Sequence, residues 1–221
     1  VTIVLSGLPE GDNTVTLNVS DVAGNGPTTE TLNFKVDTTR PLIEPSASWD
    51  PAMPHTLADA TVLSVDVDVI EAGSGIDAAT VVATVDTGGS ATTSVAGSVV
   101  TISLTGLKYG ANVVTLNLSD NVGNAALPVG GTVNVTDTVA PAIDDTSWSI
   151  AEGSWIDTNA PTLTVAVSDA EPSSGIGAVS ATVTAPGSAS ATYDSATALV
   201  TIVLSGLPEG DNTVTLNVSD V

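Results

Sequence analysis

The chain has 221 residues, with 25 acids against 3 bases, a formal charge of −22 and no cysteine. This balance argues against nucleic acid and anionic membrane surfaces as partners, since both need Lys and Arg to neutralise phosphate. A disulfide framework and a thiolate zinc site are excluded outright, and no apolar run approaches the roughly 18 residues of a membrane helix.

Val and Thr are abundant, helix-forming Lys, Arg, Gln and Glu are scarce, and only 3% of residues are aromatic. Such a chain favours strands around aliphatic cores. In chain order, Val1, Ile3 and Leu5 share one face and read as a strand facing a core, followed by an acidic turn and a second strand ending at the DVAGN turn, residues 21–25. Residues 30–36 read as the next strand. From 37 to 136, seven strands are expected, at about 41–48, 61–69, 79–85, 91–95, 98–104, 112–119 and 130–136. In the second of these Leu63, Val65, Val67 and Val69 share one face, and in the sixth Val114, Leu116 and Leu118 do the same. Period two with one polar face marks a half-buried antiparallel strand. Gly-rich turns separate the strands, and Leu163, Val165 and Val167 repeat the pattern further on.

Residues 1–22, VTIVLSGLPEGDNTVTLNVSDV, return without change as residues 200–221. Unselected core positions drift among residues of similar volume, so identity over this length points to recent tandem duplication. A weaker echo, LTGLKYGANVVTLNLSDNVGN, lies at 104–124, and Ser74-Gly75-Ile76 is matched by Ser174-Gly175-Ile176. The spacing divides the chain into residues 1–36, the last strands of one module; 37–136, a complete module of a second type; and 137–221, a module of the first type without its last strand. Seven short strands in about 100 residues are expected to form an immunoglobulin-like Greek-key β-sandwich, with another sandwich or a small barrel as the alternative.

The signature L-x-x-G-x-N-x-V-x-L-x-x-S-D-x-x-G-N, followed by a strand and D-T-x-x-P, resembles bacterial immunoglobulin-like tandem repeats of giant secreted adhesins and surface stalk proteins. The resemblance covers the whole chain. It implies an extracellular or cell-surface location and a spacer role, with neighbouring repeats as partners and calcium at the junctions. One departure is visible: Asn13, Asn112 and Asn212 stand where such sandwiches often carry a tyrosine corner. An Asn side chain bonded to nearby backbone is expected to hold that corner.

Strand topology places candidate metal ligands around the two linkers. At Asp37 they are Glu10 and Asp12 from the loop before and Glu71, Asp77 and Asp120 from the loops after; at Asp137 they are Glu171 and Asp220. Carboxylate clusters of this kind provide the oxygens calcium prefers. The same acids have a plainer use in capping turns or pairing with the few bases, Arg40 beside Asp37 and Lys108 near Asp137.

Other signals are weaker. Asn18, Asn117, Asn134 and Asn217 fit a glycosylation triplet, which a chain rich in Asn, Ser and Thr produces by chance. Lys35 lies on a strand and could form an isopeptide bond with an Asn, but its counterpart in the other module is Asn134, so the device does not recur. His55 is the sole histidine and no nucleophile elbow is present, so enzyme chemistry is not expected. Trp49 and Trp148 match in position and read as packing residues; Trp155 could stack on a sugar. The expected function is therefore a structural repeat of a long extracellular fibre, stalk or adhesin. The alternatives are a ligand-binding adhesion module that grips a glycan or a surface, or a subunit that polymerises by strand donation; self-association into filaments is compatible with the first reading.

Overall fold

A computed structural model describes every residue from Val1 to Val221. It holds sixteen β-strands, one short 3-10 turn and no α-helix. No helix is long and apolar enough to cross a membrane. By contact density the chain divides into two compact units. The first comprises Val1–His55, Val62–Thr105 and Val113–Val133; the second comprises Thr56–Thr61, Gly106–Asn112 and Asn134–Val221.

The first unit opens with a two-stranded antiparallel ribbon, β1 (Gly11–Val19) and β2 (Thr28–Val36). Its register runs from Gly11 opposite Val36 to Val19 opposite Thr28. Along the chain there follow β3 (Leu42–Ile43), β4 (His55–Ala58), β5 (Leu63–Ile70), β6 (Val82–Val85), β7 (Ser90–Ala96), β8 (Val99–Thr105), β9 (Gly110–Asn117) and β10 (Val129–Thr136); of these, Thr56–Ala58, Gly110–Asn112 and Asn134–Thr136 belong to the second unit. One sheet has the order β3-β5-β8-β7 and another β4-β10-β9-β6. In immunoglobulin lettering these are A-B-E-D and A′-G-F-C, which is the order of that sandwich. The alternation read from the sequence decides which side chains go inside. Val65, Val67, Val100, Ile102, Leu104, Val114, Leu116 and Val133 are all fully buried.

The second unit repeats the plan with β11 (Ala142–Ile143), β12 (Thr162–Ser168), β13 (Ile176–Val183), β14 (Ser188–Asp194), β15 (Leu199–Ser205) and β16 (Val214–Asp220). Its sheets are β11-β12-β15-β14 and β13-β16. Leu163, Val165, Val167, Val200, Ile202 and Leu204 form the core, with Trp148 and Ile143 packed against it. The chain is thus a tandem of immunoglobulin-like sandwich modules.

Three expectations are corrected. Residues 1–5 form no strand, and Val1, Ile3 and Leu5 are exposed. The identical residues 200–204 lie in β15, between β12 and β14, where Val200, Ile202 and Leu204 are buried. No strand pairs with residues 1–5, so their alternating pattern has no sheet to join. The strand expected at 41–48 is only Leu42–Ile43, because the chain then enters a 3-10 turn at Ser46–Ser48. Beyond it lies the additional strand β4, which is not among the seven expected.

The asparagine corner is present in all three places. Asn112 donates to the Lys108 and Gly110 carbonyls at 2.7 and 3.1 Å, and accepts from the Lys108 N–H at 3.0 Å. Asn13 donates to Pro9 and Gly11, each at 2.9 Å, and Asn212 to Pro208 and Gly210 at 2.9 and 3.0 Å. Proline has no N–H to return, and the Asn212 Oδ1 atom is accordingly buried with no hydrogen-bond partner.

Candidate functional site

The Asp37 region lies wholly within the first unit. Asp37 follows β2, Glu71 follows β5 and Asp120 follows β9. One carboxylate oxygen from each lies within 4.8 Å of the other two. Each carboxylate is also held by backbone. Asp37 accepts the Ser74 N–H at 2.7 Å and the Thr39 N–H at 3.2 Å. Glu71 accepts the Gly73 N–H at 2.6 Å. Asp120, only 1% exposed, accepts from the Val122 and Asn124 N–H groups at 3.0 and 2.8 Å and from the Asn124 side-chain amide at 2.7 Å. The Asn124 amide also donates to the Asp37 carbonyl at 3.2 Å. A Cβ at Gly73 would sit 2.4 Å from an Asp37 carboxylate oxygen, so any other residue there must displace that carboxylate.

The same DxxGN turn appears at Asp21, whose carboxylate accepts the Asn25 N–H and amide, each at 2.7 Å. The turn geometry therefore forms without Asp37 and Glu71 beside it. The Asp37 region differs in bringing three carboxylates together.

Electrostatics match the hydrogen bonding. Ser74, through its buried hydroxyl beside the carboxylate and through its N–H, holds Asp37 below the ordinary Asp pKa of 3.8; burial and the Asp120 charge oppose this and the Thr39 N–H adds to it. Burial pushes Asp120 upward, but the Asn124 amide and N–H with those of Val122 and Gly123 outweigh it, so its pKa is also lowered. Hydrogen bonds lower Asp21, Asp137, Asp144 and Asp194 in the same sense. A carboxyl with a depressed folded-state pKa stabilises the fold above its unfolded value and loses that contribution as pH falls through the folded one. The melting temperature should therefore decline as pH drops below about 3.8. Relief of the repulsion among the charges making up −22 acts in the opposite direction. A melting temperature that rises through this range would contradict the assignment.

The other expected ligands have different uses. Both Glu10 oxygens accept the Thr38 N–H at 3.0 Å, and the Thr38 hydroxyl donates to one of them. Asp12 pairs with Lys35 at 3.4 Å on the exposed face of the ribbon. Asp77 accepts the Ala79 N–H at 3.0 Å and lies outside the three-acid group.

The second unit shows a related arrangement without the cluster. Asp137 accepts the Ser174 N–H at 2.8 Å and the Val139 N–H at 3.1 Å, as Asp37 does with Ser74 and Thr39. Asp137, Glu171 and Asp220 form no three-acid group. Asp220 pairs with Ile176 as Asp120 pairs with Ile76, but Asp120 is in addition closed in its turn by the Asn124 N–H. Thr138 donates its N–H at 2.7 Å and its hydroxyl to Asp59.

Asp59 is a residue that sequence reasoning missed. It does for Thr138 what Glu10 does for Thr38, since Tyr109 stands at the Glu10 position of the GLKYGAN loop. The two residues are 79 apart in sequence, so no local spacing announces them. Both linkers share one design. The Asp grips a serine N–H 37 residues ahead, and the following Thr grips an acid through N–H and hydroxyl together.

No family model matches the chain, and no curated protein does either. Solved structures do match. The D00–D0 domain of intimin is 17% identical, with a TM-score of 0.31, covering 76% of this chain and 91% of that one. Domains 4–9 of the surface-layer protein SbsC are 17% identical, with a TM-score of 0.31; the match covers 94% of this chain and 35% of that one. A tandem pair of titin immunoglobulin domains is 10% identical, with a TM-score of 0.35, covering 82% and 95%. At these identities and scores the fold assignment rests on the strand order of this chain itself.

Proposed function

We propose that this chain is a stretch of a long extracellular fibre, stalk or adhesin, in which tandem immunoglobulin-like modules act as spacers and carry tension. The observation that carries this reading is the repeated linker design. Asp37-Thr38 and Asp137-Thr138 are each fixed by hydrogen bonds at both residues, and Pro41 and Pro141 follow. A linker held in this way bends little, and proline removes a further backbone freedom. The module boundaries that go with it are 1–36, 37–136 and 137–221. The return of residues 1–22 as 200–221 fits an array built from a repeating pair of modules.

Within this reading the Asp37, Glu71 and Asp120 group takes a calcium ion. Three carboxylates supply three to six oxygens, and water completes the six to eight that calcium prefers. The N–H bonds already present do not prevent this, because each carboxylate oxygen carries two lone pairs. Bound calcium would tie the residue entering β3 to the loops after β5 and β9.

Stretching single molecules of the chain, in calcium and in chelator, tests both parts. The spacer reading expects discrete unfolding steps of roughly 350 Å, the contour of about 100 residues at 3.3–3.6 Å each. Smooth extension without steps would end it. The calcium reading expects a higher unfolding force in calcium, and a Glu71→Gln variant that has lost the difference. Equal forces in calcium and chelator would retire the ion and leave the spacer standing.

A further inference from the structure

The sandwich of residues 37–136 has four sheet edges, β3 and β7 in one sheet and β4 and β6 in the other. Three of them are guarded. β3 is two residues long and lies between Pro41 and Pro45. β4 is four residues long and lies between Pro54 and Asp59, and β6, also four, runs up to Asp86. Shortness, proline and charge are the devices that stop an edge from taking another strand. β7 has none of them. It is seven residues long, SATTSVA, and its register with β8 runs without a bulge from Ser90 opposite Thr105 to Ala96 opposite Val99. Later strands of the chain leave it free, since β9 and β10 lie in the other sheet. Ala91, Thr93 and Val95 face inward yet are only half-buried, whereas Leu104, Ile102 and Val100 opposite them are fully buried. The second unit repeats the feature: on its edge strand β14, Ala189, Ala191 and Tyr193 are half-buried opposite the buried Leu204, Ile202 and Val200. β14 ends on Asp194, so β7 is the neutral edge of the two.

We propose that β7 is the surface through which two copies of this chain associate, edge to edge and antiparallel, with Thr93 opposite Thr93. Charge selects the partner. Two copies that each carry −22 repel wherever their acids meet. Residues 87–107 hold no charged side chain, and the acids of this sheet, Asp66 and Asp68, lie on β5 with β8 between them and the edge. Backbone geometry sets the register. The two-residue turn Gly97-Ser98 makes Ala96 and Val99 a hydrogen-bonded pair, and so, at every second residue, are Ser94, Thr92 and Ser90 with their partners. The N–H and C=O groups of Ala91, Thr93 and Val95 therefore point to the free edge. A second β7 centred on Thr93 sets Ala91 opposite Val95, and the three pairs exchange about six hydrogen bonds. On the exposed face Thr92 then meets Ser94 and Ser90 meets Ala96, with no charge on either side. The same patch serves both copies, so the contact is twofold and closes on itself. The inference rests on strand order and charge in this chain and not on the spacer reading.

Sedimentation of the intact chain from about 1 to 100 μM tests it. The expected result is a mass that rises with concentration from one chain toward two. A T92D/S94D variant sets Asp opposite Asp at two places across the pair and should weaken association about tenfold or more. Both positions are exposed, so its circular dichroism and melting should stay those of the wild type. The chain has no cysteine, so T92C and S94C can be made as separate chains and mixed. Across the pair these residues lie about 4.5 Å apart at Cα, within disulfide reach. The oxidised mixture should give a covalent dimer on a denaturing gel, and T92C alone should give little. A wild-type chain that stays monomeric at the highest concentration, or a folded T92D/S94D chain that associates as tightly as wild type, would overturn the proposal. A mixture that cross-links no better than T92C alone would overturn the register.

Discussion

Replacing Asn112 with alanine should destabilise the chain by about 3 kcal/mol, a large fraction of what one small domain commands. The side chain is completely buried. It donates to two carbonyls and accepts from the Lys108 N–H, so alanine leaves three backbone groups without that partner. A buried polar group that loses its hydrogen bond costs about 1–3 kcal/mol. The corner also fixes where the loop enters β9. The comparison with Asn212→Ala makes the prediction sharper. Asn212 makes the same two donations, but Pro208 offers no N–H and its Oδ1 is already unpaired. That substitution should cost about 1 kcal/mol less. Denaturant melts with an unchanged slope would report the two shifts directly. Equal effects at both positions would show that the Lys108 N–H contributes nothing.

The fold was legible because its strands alternate strictly. Val65, Val67 and Val69 can all be buried only if Ser64, Asp66 and Asp68 point the other way, and that pattern is visible in the letters. The limits of the pattern are equally physical. Residues 1–5 and 200–204 have the same sequence, yet only the second copy is a buried strand. Alternation states which face a strand would bury; it does not supply the neighbouring strands. β4 was hidden for a different reason. It is four residues long and follows Pro51 and Pro54, in a segment whose composition signals a connection.

The candidate site was partly legible. Asp37, Glu71 and Asp120 each follow a strand, and topology brings those strand ends together. Asp77 stays outside the three-acid group, its short side chain reaching the N–H two residues on, an option available before any long-range contact forms. Asp12 was drawn to the lysine opposite it on the ribbon. Glu10 and Asp59 serve the linker threonines, and that pairing crosses 28 residues in one case and 79 in the other. At the longer separation no local signal marks Asp59.

If residues 200–221 specify the same part of a module as the identical residues 1–22, a strand like β2 should complete it. The most direct measurement appends the sequence of residues 23–36, AGNGPTTETLNFKV, after Val221 and compares hydrogen exchange and melting with the original chain. The added strand should pair with β16 in the register of the ribbon and bury Val214, Leu216 and Val218 as Val114 and Leu116 are buried. Fully burying one such side chain contributes about 1.5–3 kcal/mol, so the melting temperature of that module should rise by about 5 °C or more. Amide protons along β16 should become protected. Unchanged exchange along β16 and an unchanged melting temperature would contradict the account, because they would mean that the repeated sequence does not specify the module it resembles.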